Sequence, residues 1–255
     1  MLSDFESGAG QNALSAYWYY FTDSGNEGNS KVTTMDSVTG YWDMTSVGEG
    51  FSSSVYSGRM GFVFGDKRPV CGPACTFDPE VTMATNLFSA DTVLDLTGAT
   101  RINFAARSET PAKVTFLVLT AGVKDFAHYQ QVVDIGKEWK EYSVVLQASP
   151  NFNQPSWGAR VPFDLSKVTQ LHWKVSKALN KTLAGDTLLI DDVKIIGWEP
   201  PIVTALRPRQ ALSRSTFPAG TGTVVDGIGR RFPVRYGDAR VSAGKGSRPG
   251  YFPSR

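Results

Sequence analysis

The chain has 255 residues, of which 41% are hydrophobic and 20% charged, with 25 Gly and 14 Pro. This composition excludes a wholly disordered chain, a collagen and a coiled coil, and it allows a sizeable hydrophobic core. No apolar run approaches the ~18 residues of a membrane helix, and the first residues lack a basic stretch followed by an apolar one. We therefore expect neither a membrane span nor an intact signal peptide in this chain.

Charge divides the chain into an acidic body and a basic tail. Residues 199–255 contain nine Arg and one Lys against three acidic residues, a net charge of +7, so residues 1–198 carry −5 of the overall +2. A Gly and a Pro pair at 197–201 oppose continuation of the preceding apolar segment. We predict a body over 1–198, a solvated linker over 199–221 and a small, basic, poorly structured tail over 222–255.

Strands dominate the body, because its apolar residues alternate with period two and none of its segments shows a sustained helical stripe. A short first strand is expected at Leu2–Glu6, and residues 11–90, rich in Gly, Ser and Thr, are expected to form strands joined by long loops. Turn signals separate the later strands at the spacing of an all-β, antiparallel β-sandwich. These later strands are predicted at 101–107, 113–120, 130–135, 141–146, 169–175 and 187–196.

Aromatic and amide side chains recur on these strands. Successive side chains of a strand point to opposite faces, so half of the aromatic run at 17–20 leaves the core. The same rule buries Trp173 and turns His172 and Lys174 outward. A sugar ring presents apolar C–H patches to flat aromatic rings, while its hydroxyls pair with amides and carboxylates. The pattern indicates a sugar-binding sheet surface, although aromatic residues also fill ordinary β-sandwich cores.

Catalytic motifs are missing from the sequence. It contains no carboxylate run of the glucanase type, no GxSxG, no HExxH and no P-loop, and its two histidines, His128 and His172, lie far apart. Cys71 and Cys75 either close a small disulfide loop in an exported protein, remain free thiols, or supply half of a zinc site that lacks a second Cys pair. We expect a non-catalytic protein.

Carboxylates near both ends of the body suggest a cation site. Asp4 and Glu6 flank Phe5, and Asp191-Asp192 interrupts an otherwise apolar final strand. An unpaired buried carboxylate is costly, and Ca²⁺ accepts six to eight oxygen ligands, including backbone carbonyls. We therefore expect structural calcium; the alternative is that these carboxylates cap turns or pair with Lys.

Five segments together resemble the family 11 carbohydrate-binding modules, over about residues 1–197. They are the opening SDFESG, the aromatic run leading into TDSGNEGNS, and the blocks AHYQQVVDIGKEWKEYSVVL, QPSWGARVPFDLSKVTQLHWKV and LLIDDVKIIG. The resemblance implies a β-jelly roll that binds a single β-glucan chain, cellulosic or mixed-linkage, in a groove on its concave sheet, without cleaving it.

The resemblance also implies roles for individual residues. Glu6 and Asp191, with Asp4 beside them, match the calcium ligands. Where family members carry acidic and basic groove residues, this sequence reads NFNQPSWGAR, so Trp157 or Arg160 is expected to take that role. Together with the outward side chains noted above, the candidate carbohydrate-binding residues are Tyr17, Tyr19, His128, Tyr129, Gln131, Trp157, Arg160, His172 and Lys174.

The tail resembles the basic C-terminal domains of plant-fibre-degrading bacterial surface enzymes. Its charge favours an anionic cell-envelope component, and it lacks a recognisable nucleic-acid-binding fold. We therefore expect a secreted or bacterial cell-surface protein that targets an associated enzyme or the cell surface to plant polysaccharide. Two alternatives stay open. The first is a glycan hydrolase or its accessory domain, either alone or as part of a larger enzyme. The second is a structural or adhesive module that does not bind sugar.

Overall fold

The computed structural model describes residues 1–8, 10–34, 49–66, 77–88 and 92–199, together with the backbone of two strands within 220–236. The chain separates into two compact units, Met1–Pro200 and Pro201–Arg255. Cys71 and Cys75 lie outside the described residues. Across the residues described, no helix is long and apolar enough to cross a membrane.

The described part of the first unit is built almost entirely from strands. The strands predicted from 101 onward coincide with β5 to β10 to within two residues. The elements are β1 (Trp18–Thr22), β2 (Lys31–Val32), β3 (Gly58–Val63), β4 (Glu80–Asn86), β5 (Arg101–Ser108), β6 (Ala112–Thr120), β7 (Tyr129–Ile135), β8 (Lys140–Val145), β9 (Val168–Ser176) and β10 (Gly185–Ile196), with 3₁₀ turns at Asp23–Asn26 and Leu165–Lys167.

These strands form two five-stranded antiparallel sheets. The first sheet has the order β1-β4-β9-β6-β7 and the second has the order β2-β3-β10-β5-β8. Strands β3 to β10 therefore give the four-strand orders β4-β9-β6-β7 and β3-β10-β5-β8, with the chain crossing repeatedly between the sheets, which is the jelly-roll arrangement. The predicted all-β jelly-roll sandwich is confirmed.

An aromatic cluster centred on Trp173 fills the space between the sheets. The Trp173 side chain is fully buried, and its ring centroid lies 5.3 Å from that of Trp18, 5.6 Å from that of Phe104 and 5.2 Å from that of Phe116. Phe104 belongs to the second sheet and the other three rings to the first. Burial of such rings from both sheets supplies the hydrophobic contact that holds the sandwich together.

The amino-terminal segment differs from its predicted form. Instead of a strand over Leu2–Glu6, the structure has an isolated antiparallel bridge between Ser3 and Val193. Phe5 adopts a left-handed backbone conformation, with φ of 58°, which ends the extended path. The buried Phe5 ring packs on Trp18 at 4.9 Å, so core packing of this one ring overrides the alternation seen in the sequence.

The second unit contains a two-stranded antiparallel sheet, in which β11 (Gly220–Val225) pairs with β12 (Arg231–Tyr236). This hairpin begins one residue before the predicted end of the linker, at Gly220.

Candidate functional site

Two adjacent transverse rows of outward-pointing side chains on the first sheet, together with Gln170, the next outward residue of β9, make up what we call the outer face. Because antiparallel partners lie side by side and alternate residues share a face, the strand registers give the members of each row directly. The histidine row is Tyr19, Ala84, His172, Leu117 and Gln130, and the lysine row is Phe21, Thr82, Lys174, Thr115 and Val132.

Exposure varies across the outer face in a regular way. The two edge strands carry exposed side chains, with Phe21 on β1 at 39% and Val132 on β7 at 45%. Between them, Ala84 and Thr82 on β4 are no more than 1% exposed, and His172 is 8% exposed. We call the band of low exposure between the two edge strands, which runs along the strands, the trough.

A hydrogen-bonded group spans the trough on the β1 side. The Tyr19 hydroxyl donates to Gln170 Oε1 at 2.9 Å, and His172 Nε2 lies 2.7 Å from the same oxygen. An amide oxygen only accepts, so the imidazole donates from Nε2. These two hydrogen bonds fix the orientation of the Gln170 amide through its oxygen. The amide NH₂ group keeps two donors, for which no described residue provides an acceptor.

Aromatic contacts hold the same group in place. The centroids of the Phe21 and His172 rings lie 5.2 Å apart in a T-shaped arrangement with an interplanar angle of 64°, and the Phe21 ring stacks with Tyr19 at 6.3 Å. Burial raises the pKa of the Tyr19 hydroxyl to about 12, which keeps it protonated as a donor. The site therefore presents one exposed ring and one oriented amide, both positioned before any ligand arrives.

The outer face is close to neutral. Burial, assisted by the nearby His128 and Lys174, lowers the pKa of His172 to about 3, so its imidazole is uncharged at neutral pH. The Lys174 ammonium lies 3.2 Å from Glu80 Oε2, which offsets its charge. A ligand without formal charge matches such a surface.

His128 lies at the end of the trough, just before β7. It is 9% exposed, and its Nδ1 has no hydrogen-bond partner among the described residues. Burial lowers the pKa of His128, and the carboxylate of Asp125 opposes this shift. The structure therefore brings together four predicted residues, Tyr19, His128, His172 and Lys174, around this one surface.

Two predicted residues of β7 lie on the opposite side of the strand. Tyr129 and Gln131 are in register with Val118 and Phe116, whose side chains are buried between the sheets. The Tyr129 ring packs 4.8 Å from Phe163, and its hydroxyl donates to a loop carbonyl. Neither residue belongs to the outer face. The sequence of β7 alone does not show which of its side chains face the core, because its two adjacent valines, 132 and 133, point to opposite sides of the strand.

The other three predicted residues lie outside the two rows. Tyr17, one residue before β1, is 61% exposed. Trp157 is 49% exposed in the connection between β8 and β9. Arg160, in the same connection, uses Nη1 to donate to the carbonyls of Gln154 and Pro155, at 3.2 and 2.7 Å, so it supports its own loop.

The predicted calcium ligands converge on one segment, residues 51–56. Glu6 Oε1 accepts from the N–H groups of Val55 and Tyr56, both at 2.9 Å. Asp191 Oδ2 accepts from Phe51 N at 2.8 Å, and burial raises the Asp191 pKa to about 6. No group of three or more His, Cys, Asp or Glu side chains in the described ranges is placed to hold a metal ion.

Asp4 is separate from these contacts. Its Oδ1 accepts from Glu6 N at 3.2 Å within the same short turn. The carboxylates suit a hard cation by type, but the oxygens described here already accept backbone hydrogen bonds, so the donor set fits calcium only in part.

Sequence reasoning omitted three outer-face residues from the candidate site. Phe21 and Gln130 lie on the two edge strands, and Gln170 joins Tyr19 to His172. The alternation of side chains identifies each of them once it is known which residues of its strand face the core. In β1 the buried residue is Trp18, so Tyr19 and Phe21 must point outward.

No family model matches the sequence, and no curated protein matches it significantly. Among solved structures, the chain is similar to a family 11 carbohydrate-binding module from Clostridium thermocellum in complex with a β-1,3-1,4-mixed-linked tetrasaccharide, with TM-score 0.47 and 13% identity, over 78% of this chain and 95% of that one. It is similar to the family 11 module of the cellulosomal cellulase Lic26A-Cel5E of Clostridium thermocellum, with TM-score 0.46 and 14% identity, over 77% and 93%. It is also similar to TmCBM61 in complex with β-1,4-galactotriose, with TM-score 0.39 and 14% identity, over 76% and 94%.

The burial of His172 predicts a pH-dependent stability. Its folded pKa of about 3 lies below the ordinary value of 6.5, so the unfolded chain binds a proton that the folded chain does not. The stability due to the neutral ring is complete above pH 6.5 and is lost as pH falls toward 3. Between these values, His172→Gln should reduce the slope of unfolding free energy against pH by up to about 1.4 kcal/mol per unit.

Urea denaturation at a series of pH values measures these slopes. His128→Gln is the matched control and should change the slope less, because Asp125 partly offsets the effect of burial on His128. Equal slopes for the wild-type protein and His172→Gln would contradict the account.

Proposed function

We propose that the outer face binds a single uncharged polysaccharide chain without cleaving it, and that the ligand is a β-glucan, cellulosic or mixed-linkage. The observation that carries this proposal is the prearranged group of Tyr19, Gln170 and His172 beside the exposed Phe21 ring. Flat rings and oriented amides are the two features that a sugar chain requires, for its C–H patches and its hydroxyls respectively.

The polar groups of the face favour a neutral sugar. The Gln170 NH₂ group supplies donors to sugar hydroxyls, while the pairing of Lys174 with Glu80 leaves little charge to attract a polyuronate. The choice of β-glucan rests on the resemblance in the sequence. Affinity on the order of micromolar to 0.1 mM is expected, because a solvated trough regains little beyond the hydrogen bonds that water already made.

Binding without cleavage is part of the proposal. Glycosidases generally place two carboxyl groups on either side of the scissile bond. The outer face includes no Asp or Glu, and the two carboxylates next to its lysine row on the same side of the sheet, Glu80 and Asp134, are paired with Lys174 and Lys113 respectively. A module of this kind serves to hold an associated enzyme, or the cell that carries it, on plant polysaccharide, which implies a secreted or cell-surface location.

Substitution on the outer face tests this function. Phe21→Ala should weaken binding to barley β-glucan by about two- to tenfold, since ring stacking contributes about 0.5–1.5 kcal/mol. Val145→Ala is the matched control, because Val145 is a similarly exposed residue of the second sheet. This variant should bind β-glucan as tightly as the wild-type protein does. Affinity electrophoresis and calorimetry against β-glucan, xylan, mannan and pectin provide the measurement.

Three outcomes would count against the proposal. Failure of the wild-type protein to bind any of these polysaccharides would favour a structural or adhesive module. Release of reducing sugar from β-glucan would show a hydrolase instead. Equal loss of affinity in Phe21→Ala and Val145→Ala would remove the site from the outer face.

We also propose a structural calcium ion where Glu6 and Asp191 meet the 51–56 segment. A carboxylate with no exposed surface, whose pKa burial raises, supports this, because a bound cation would favour its ionised form. Excess chelator should lower the melting temperature by several degrees, on the order expected for about 1 kcal/mol in a domain of this size. Added Ca²⁺ should restore it.

Calorimetric scans with two variants make this test specific. Asp191→Asn should melt at the same temperature with and without chelator, whereas Asp134→Asn, at an exposed position of β7, should respond as the wild-type protein does. An unchanged wild-type melting temperature in excess chelator would reject the calcium site.

Finally, we propose that the basic tail binds an anionic cell-envelope polymer. The net charge of +7 over residues 199–255, of which the tail itself carries +5, supports this, since clustered Arg attract polyanions with a strong dependence on salt. The full chain should be retained on an immobilised anionic cell-wall polymer and should elute at lower salt after Arg230→Gln with Arg231→Gln. Retention on DNA alone, or an unchanged elution position, would contradict the proposal.

A further inference from the structure

We propose that Phe126 and Trp157 form an aromatic platform that stacks on the same glycan chain beyond the end of the trough. This inference rests on the proposed function and extends its binding surface from the outer face to two loops. We call these loops the paired loops; they comprise residues 123–128, between β6 and β7, and 154–161, between β8 and β9.

Side-chain hydrogen bonds tie the paired loops together. Gln154 is 6% exposed; its Nε2 donates to Ala127 O at 2.6 Å, and its Oε1 accepts from Val161 N at 2.9 Å. Asp125 Oδ2 accepts from Ala159 N at 2.6 Å across the same interface. A buried amide that bonds the backbone of both loops, and a carboxylate that crosses between them, give two long connections a defined shape.

The loops also approach each other closely beside the two rings. A Cβ placed on Gly158, where φ is 83°, would lie 2.5 Å from the Ala127 Cβ, so only Gly fits there. Gly158 follows Trp157, and Ala127 follows Phe126. The two rings therefore start from neighbouring points on a tightly packed pair of loops.

Both rings remain exposed despite this order. Phe126 is 80% exposed and Trp157 is 49% exposed. Phe126 also has a φ of 65°, a conformation that is costly for a bulky residue. Neither the exposure nor the strained backbone benefits the folded chain by itself, which is the pattern expected where a ligand covers the surface.

The position of the paired loops identifies the ligand. The trough runs along the strands, and its Gln170 end is the end at which β6 stops and β7 begins. His128 links the two regions, because it lies two residues after Phe126 and two residues before Gln130, on the side of the chain that continues the outer face. Its Nδ1 has no partner in the described residues. A sugar chain that follows the trough past Gln170 reaches the loops directly.

Dependence on chain length tests the platform. The wild-type protein should bind polymeric barley β-glucan more tightly than a mixed-linkage tetrasaccharide, because only the longer chain can cover the trough and the paired loops together. The double variant Phe126→Ala with Trp157→Ala should lose about five- to a hundredfold in affinity for the polymer, from the loss of two stacking contacts, and keep its affinity for the tetrasaccharide. Both side chains are exposed, so folding should be unaffected. Val63→Ala with Val145→Ala removes two exposed side chains of the second sheet and serves as the control.

Calorimetry with both ligands separates the outcomes. Wild-type affinity of the double variant for the polymer would overturn the platform and leave the proposed function intact. Absence of any glycan binding by the wild-type protein would overturn both. Self-association of the wild-type protein in sedimentation that the double variant abolishes, with unchanged glycan binding, would assign the rings to a second copy of the chain and overturn the platform.

Discussion

The packing of Trp173 between the two sheets is the constraint on which the rest of the molecule depends. Its ring contacts Trp18 and Phe116 on its own sheet and Phe104 on the other. Once Trp173 is inward, strand geometry forces its neighbours His172 and Lys174 outward. The same packing orients β1, since a buried Trp18 turns Tyr19 and Phe21 to the surface. Alternate side chains of the same strands thus form the core on one side of the sheet and the candidate site on the other.

This coupling explains why the outer face is prearranged. Tyr19 and His172 project from strands separated by β4, and they meet on the Gln170 amide oxygen. The imidazole is held neutral, and the lysine beside it is paired with Glu80. A rigid, uncharged surface with oriented amides loses little conformational entropy on binding, which suits weak recognition of a neutral chain.

The sequence predicted the later strands well and the site in part. Strands β5 to β10 show clear alternation of apolar and polar residues between turn signals. In β9 a large apolar ring stands between polar neighbours, so the sequence shows which of its residues face the core. In β7 a Val pair and a Gln pair do not show which residues face the core, so the sequence did not reveal that Tyr129 and Gln131, both predicted to bind sugar, lie on the side opposite to the outer face. The Gln154 and Asp125 network joins segments about thirty residues apart in sequence, so no local pattern shows it. The left-handed backbone conformation of Phe5 was not predicted for a similar reason, because it accompanies a packing contact with the distant Trp18.

The central claim is that a glycan lies on the outer face of the first sheet. A ¹⁵N nuclear magnetic resonance titration of the full chain with a soluble mixed-linkage β-glucan oligosaccharide tests it most directly. The account predicts shifts in the backbone amides of Tyr19, Phe21 and His172 and in the side-chain NH₂ signal of Gln170. Shifts confined to the second sheet, for example at Val145 and Leu189, or no shifts at millimolar oligosaccharide, would contradict it.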